Sequence, residues 1–139
     1  MAWPPRQRSY SDRSRSRLDP MRRGERCLAA AQAHLQAGAF DEARRLLTTA
    51  NGGSLDELGR ARVQLLRGQI EALSSFGGGA SALLLGAAKR IEPLDAALAR
   101  ETYLDTWGAA MYAGRAGAQV LLEVSRAALS VPQPRLRRA

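Results

Sequence analysis

The sequence predicts an all-α chain of about six helices in three hairpins, an α-solenoid segment. Three observations predict it. Apolar residues recur at helical spacing through residues 19–130, and Gly or Pro turns punctuate the pattern at hairpin intervals. Aromatics make up only 5% of the 139 residues while Ala and Leu abound, which suits thin helices packed at close range and gives little material for a β-sandwich. A chain of this length builds one modest domain that buries roughly two thirds of its unfolded surface.

The segments follow in order. Residues 1–18 are rich in Pro, Arg and Ser, with Arg13-Ser14-Arg15-Ser16-Arg17 at their centre and no apolar periodicity, so a disordered basic tail is expected. Asp19-Pro20 reads as an N-cap followed by Pro at the first helical position, where its missing N–H costs nothing. The first helix is expected from about Met21 to Ala37, with Leu28, Ala31 and Leu35 as its apolar stripe. Gly38 can end it in a left-handed conformation. The second helix, from about Asp41 to Ala50, places Ala43, Leu46, Leu47 and Ala50 on one face, and Asn51-Gly52-Gly53 stops it.

Ser54-Leu55-Asp56-Glu57 has the spacing of a capping box, so the third helix is expected to begin there and to run to about Ser74. Val63, Leu66, Ile70 and Leu73 mark its buried side. Phe76 to Gly79 form a turn, and a fourth helix from about Ser81 to Ile91 carries Leu84, Leu85 and Ala88 until Pro93 stops it. Asp95 is the expected cap of a fifth helix reaching about Ala113, with Leu104, Trp107 and Met111 as its apolar face and Gly114 closing it. Val120, Leu121, Val124 and Ala128 form a sixth, and Pro132 and Pro134 end ordered structure, leaving 131–139 as a second disordered basic tail.

The formal charge of +8 sits at the ends. Residues 1–26 hold eight Arg against Asp12, Asp19 and Glu25, and residues 132–139 add Arg135, Arg137 and Arg138, which leaves ten basic and ten acidic side chains in 27–131. The high net charge therefore implies basic tails on a neutral body. Arg13, Arg15 and Arg17 are candidate nonspecific nucleic-acid contacts by phosphate neutralisation; only Tyr10 lies nearby to stack on a base. Cys27 is the single cysteine, which excludes an intrachain disulfide and is compatible with a reducing cytosol, so a cytoplasmic location is expected. No apolar run approaches the roughly 20 residues of a membrane span, and no apolar segment of a secretory signal follows Trp3.

No catalytic or metal constellation emerges. His34 is the only histidine and has no ligand-spaced companions. Cys27 reads as a small buried hydrophobe. Asp41-Glu42 and Asp56-Glu57 stand at helix starts, where the helix dipole explains them. Tyr103 and Trp107, four residues apart on one helix, are either core or the lining of a peptide groove.

Gly38-Ala39-Phe40-Asp41-Glu42-Ala43 followed by Leu47 and Ala50 resembles the inter-helix turn and second helix of a tetratricopeptide-type repeat, and Leu85, Ala88 and Pro93 fall at comparable offsets in the next hairpin. More of the chain is similar to the helical-repeat region of LuxR-type bacterial transcriptional regulators that carry an ATPase domain. The similarity runs from Asp19-Pro20-Met21-Arg22-Arg23 through Leu28 to Phe40, Leu55-Asp56-Glu57-Leu58, Leu65 to Ile70, Glu92-Pro93-Leu94-Asp95 and Leu98 to Asp105, covering about residues 19–128 in collinear order. The resemblance implies a scaffold that engages a protein partner or the remaining regulator domains, or senses an effector, without being an enzyme. It does not carry over ATP binding: Lys89 is the only lysine, and Gly77-Gly78-Gly79 lacks the Lys and hydroxyl of a phosphate cradle, so no cofactor is expected. The family's DNA-reading helix-turn-helix has no counterpart either. The chain is accordingly expected to be a fragment, a truncated or frame-shifted product of a longer regulator. The alternative is a small basic nucleic-acid-binding protein acting through its N-terminal arginines.

Overall fold

The computed structural model describes the backbone of residues 10–75 and 78–130, with side chains from Leu18 onward. The described residues are all-helical and contain no strand. The helices are α1 (Tyr10–Gln36), α2 (Phe40–Asn51), α3 (Glu57–Ser74), α4 (Gly79–Ile91), α5 (Ala96–Tyr112) and α6 (Ala118–Ser130), with a short 3-10 helix, Gly114–Gly117, between the last two. The principal contacts all join helices one or two places apart in the chain. Such local contacts need only short loops to be closed.

Two apolar cores are built along the chain, and α3 is the wall between them. The first gathers Leu28, Ala31 and Leu35 of α1, Ala43, Leu47 and Ala50 of α2, Leu55, and Val63, Leu66 and Ile70 of α3. The second gathers Ala61 and Leu65 of α3 with Leu84, Leu85, Ala87, Ala88 and Ile91 of α4, Ala99 and Tyr103 of α5, and Val124 of α6. At 100° per residue, the two α3 triplets 63/66/70 and 61/65/68 point about 165° apart, so one helix serves both cores. Small side chains set the approach. Ala43, Ala50, Ala61, Ala87, Ala88 and Ala99 are fully buried, and a Cβ added at Gly68 would lie 2.8 Å from Leu84 Cδ2.

The turn after α1 is a Schellman motif. Gly38 adopts φ +75°, Ala39 N–H donates to His34 O at 2.8 Å and Gly38 N–H to Leu35 O at 3.0 Å, satisfying carbonyls that the helix end would leave orphaned. Phe40 opens α2 and packs, half-buried, against the first core. Asp95 caps α5 as its position predicts, its Oδ1 accepting from Leu98 N–H at 3.0 Å. Pro93 follows Ile91, the last residue of α4.

Several expectations are corrected. Asp19 is not the N-cap of α1, because the helix begins at Tyr10 and passes through Pro20. Proline forfeits one backbone bond and crowds the carbonyl four residues back, while the upstream arginines are good helix formers. Residues 10–18 of the expected tail thus belong to α1; residues 1–9, Phe76, Gly77 and 131–139 lie outside the described residues. The third helix is capped by Asp56, whose Oδ1 accepts from Gly59 N–H at 2.6 Å, and not by Ser54. Glu57, the presumed other half of that box, turns outward to Arg60 and Arg90. Leu73 is 66% exposed, one turn beyond the last buried position of α3, Ile70. In α6 Val124 faces inward, while Ala128 is exposed.

Candidate interaction surface

Helix α5 departs most from the sequence reading. Leu104, Trp107 and Met111, the expected buried face, are 66%, 47% and 56% exposed. The buried face consists of Ala99, Thr102, Tyr103, Thr106 and Ala110. The two sets lie about 120° apart on the helix. Tyr103 and Trp107 are therefore separated in role: the tyrosine fills the core and the tryptophan stands at the surface, so they do not line one groove together.

Burying Thr102 and Thr106 requires partners for their hydroxyls. Each bonds back to the preceding turn: Thr102 Oγ1 donates to Leu98 O at 2.8 Å and Thr106 Oγ1 to Thr102 O at 2.7 Å. Such internal satisfaction lets threonine replace an apolar residue on a buried face. The Tyr103 hydroxyl donates to Glu92 Oε2 at 2.6 Å, tying α5 to the turn after α4. Burial, then the carboxylate partner, pushes the phenol's pKa above its ordinary value of 10.0.

A polar clasp joins α3 to α4. Arg90 reaches Glu57 Oε1 at 2.9 Å and Gln64 Oε1 at 3.1 Å, and Arg60 reaches Glu57 Oε2 at 3.1 Å. Hydrogen bonds from Arg90 first, then Arg60, hold the Glu57 carboxyl below its usual range. Lys89 pairs with Glu123 at 2.8 Å, where Arg126, Ala127 and Ser130 complete an open depression of about 330 Å³. Pairs this exposed contribute little stability but fix side-chain positions.

The remaining candidates are dispersed. Cys27 is half-buried and lines a cleft of about 290 Å³ with Asp19, Arg23 and Thr49, while His34 is half-buried in the last turn of α1. Among the described residues no cluster of three His, Cys, Asp or Glu is placed to hold a metal, and no helix is long and apolar enough to cross a membrane. Arg13, Arg15 and Arg17 fall in the first turns of α1. Gly38 stands in the first turn and Ala43, Leu47, Ala50, Leu85 and Ala88 in the two cores, and none of them lines either of these depressions.

Sequence reasoning missed the outward turn of α5 because its apolar residues run nearly all round the helix. A helix of that kind is built to be covered on more than one side. The signal was present in Thr102 and Thr106, whose spacing with Ala99, Tyr103 and Ala110 marks an inward face once back-bonding is allowed for. No protein family, curated protein or solved structure matches the chain.

Proposed function

We propose that this chain is a non-enzymatic helical-repeat module that binds a protein partner, with Leu104, Trp107 and Met111 of α5 as its adhesive face. That apolar stripe is the observation that carries the reading: three large side chains on one side of a helix whose other side is already committed to the core. The sharing of α3 between two cores supports an α-solenoid of stacked antiparallel hairpins. Within that reading the chain is the repeat region of a LuxR-type regulator in fragment form, supported by the collinear segments from Asp19 to Asp105. Its setting is the bacterial cytoplasm. Coding sequence for an ATPase or helix-turn-helix domain beside the gene is the expected companion, and its absence removes the regulator assignment.

Panning the immobilised chain against a displayed peptide library tests the interaction itself. Ligands enriched on the native chain and lost on Trp107→Ala and Leu104→Glu support the α5 face. Enrichment that both variants retain, or none at all, contradicts it.

The second reading is nucleic-acid binding by the amino-terminal arginines, favoured by the eight Arg in residues 1–26. Deleting residues 1–18 then lowers nonspecific DNA affinity and flattens its salt dependence; an unchanged slope, or no binding by the full chain at low salt, excludes it.

A further inference from the structure

Helix α1 is longer than its packing requires. It packs on α2 and α3, and the turn joining those two ends alongside it: a Cβ at Gly53 would lie 4.0 Å from Pro20 O, and one at Gly24 would lie 2.7 Å from Leu55 Cδ2. From Leu18 onward the first buried residue of α1 is Gly24, and Leu18, Asp19 and Pro20 are exposed. Upstream of Pro20 the helix continues for ten residues to Tyr10, about 15 Å at 1.5 Å per residue. Residues 10–26 carry six arginines against Asp12, Asp19 and Glu25. At 100° per residue, positions 15, 22 and 26 fall within about 40° of one another, opposite the buried stripe of Gly24, Leu28, Ala31 and Leu35, whereas positions 13 and 17 continue the stripe's own side. Arg22, Arg23 and Arg26 are exposed and hold no carboxylate among the described residues, unlike Arg44 and Arg45 of α2, which hold Asp41 and Glu42.

We propose that the amino-terminal half of α1 enters the major groove of duplex DNA as a basic rod, which rests on the second reading above and gives it a geometry and a partner. An α-helix with its side chains is about 10–12 Å across, and the groove is about 12 Å wide. The helix upstream of Pro20 stands clear of the turn that flanks it lower down, so about three turns are long enough to enter. A groove has two phosphate walls, and the arginine positions suit it: 13 and 17 face one way, 15, 22 and 26 the other. A flat anionic surface calls for cations on one side only.

Duplex DNA suits α1 better than other polyanions. A lipid surface needs large apolar side chains beside the cations, and among the described residues of α1 only Leu18 is an exposed large hydrophobe. A single strand needs rings on which its bases stack, and residues 11–36 contain no Phe, Trp or Tyr. The major groove of an RNA duplex is too narrow to admit side chains. The contact is chiefly to phosphate, hence salt-sensitive and largely indifferent to sequence. Asp19 falls on the outer side of the helix between positions 15 and 22, where its charge opposes the phosphates and limits affinity.

Fluorescence anisotropy of a labelled DNA duplex of about 20 base pairs with the full chain, from about 50 to 300 mM salt, tests it. At the lowest salt the duplex is bound about tenfold more tightly than its single strand or an RNA duplex of equal length. Arg13→Gln with Arg17→Gln, and separately Arg22→Gln with Arg26→Gln, each reduce the salt slope by about 2, since one phosphate contact contributes about 0.9. Asp19→Asn tightens binding about threefold. Ser14→Pro with Ser16→Pro keeps every charge but breaks the helix, a loss that circular dichroism registers, and weakens binding about tenfold. A slope lowered by only one arginine pair, an Asp19→Asn chain that binds no tighter, or equal affinity for single strands, RNA duplexes, polyglutamate or phosphatidylserine vesicles overturns the groove-bound helix. Binding that survives the two prolines but is lost on deleting residues 1–18 overturns the helix while leaving the arginine-tail reading standing. No DNA binding at the lowest salt overturns both.

Discussion

The same substitution, glycine to alanine, has opposite consequences at two mid-helix positions. Alanine at either site gains about 1 kcal/mol of helix propensity, because glycine has more backbone freedom to lose on folding. At Gly108 nothing lies within 4 Å of the new Cβ, so the gain is realised in full. At Gly68 the Cβ would sit 2.8 Å from Leu84 Cδ2, 2.9 Å from Leu84 Cγ and 3.3 Å from Leu84 N. Leu84 is 1% exposed and enclosed by the second core, so its side chain has little free space to enter, and the close backbone nitrogen limits a shift of α4. Overpacking of that kind costs about 1–3 kcal/mol, which exceeds the propensity gain. Gly108→Ala is thus expected to stabilise by about 1 kcal/mol and Gly68→Ala to destabilise by about 1 kcal/mol, opposite Tm shifts of roughly 3–6 °C for a domain of this size. The assay is thermal and urea unfolding followed by circular dichroism at a few μM, where any self-association is negligible. A Gly68→Ala chain as stable as Gly108→Ala refutes the close α3–α4 contact on which the two-core architecture depends.

Two predictions concern pH. Glu57 is held below its ordinary carboxyl range by Arg90 and Arg60, so its contribution is present above pH 4.5 and lost as pH falls through its depressed value. An NMR titration of the side-chain carboxyl should place Glu57 below the usual carboxylate range, and an ordinary value would remove the clasp from the account. Tyr103 has the opposite sense, since its raised pKa makes folding favour the protonated phenol, with stability lost as pH rises above 10.0. Ultraviolet titration should show Tyr103 ionising at higher pH than an ordinary phenol or only on unfolding; normal ionisation of Tyr103 in folded protein contradicts its buried bond to Glu92.

The first hairpin was legible because its signals agree. Gly38 supplies the positive φ that the Schellman turn needs, and Ala43, Leu47 and Ala50 recur at three and four residues, so turn chemistry and periodicity point to one geometry. Where two signals overlapped, one had to lose. Ser54 and Asp56 both precede α3 at capping distance, and Asp56 is the one whose carboxylate meets a free N–H, at Gly59. Pro20 reads as a helix start by local rules, yet it occupies the interior of α1, which the sequence alone does not distinguish. The α5 face was illegible by hydrophobicity because its large apolar residues point outward and its threonines point in. That inversion separates the packing residue Tyr103 from the candidate contact residue Trp107, and it became visible only with the neighbouring helices in place.

The central claim is that Trp107 belongs to a surface and Tyr103 to the core. The unfolding free energy of Trp107→Ala, measured by urea titration at a few μM, tests it most directly. A tryptophan that is 47% exposed predicts a loss of no more than about 1–1.5 kcal/mol, half the value of a fully buried large side chain. A loss of about 3–5 kcal/mol, the range for deleting a large aromatic from a core, would place Trp107 inside and contradict the account.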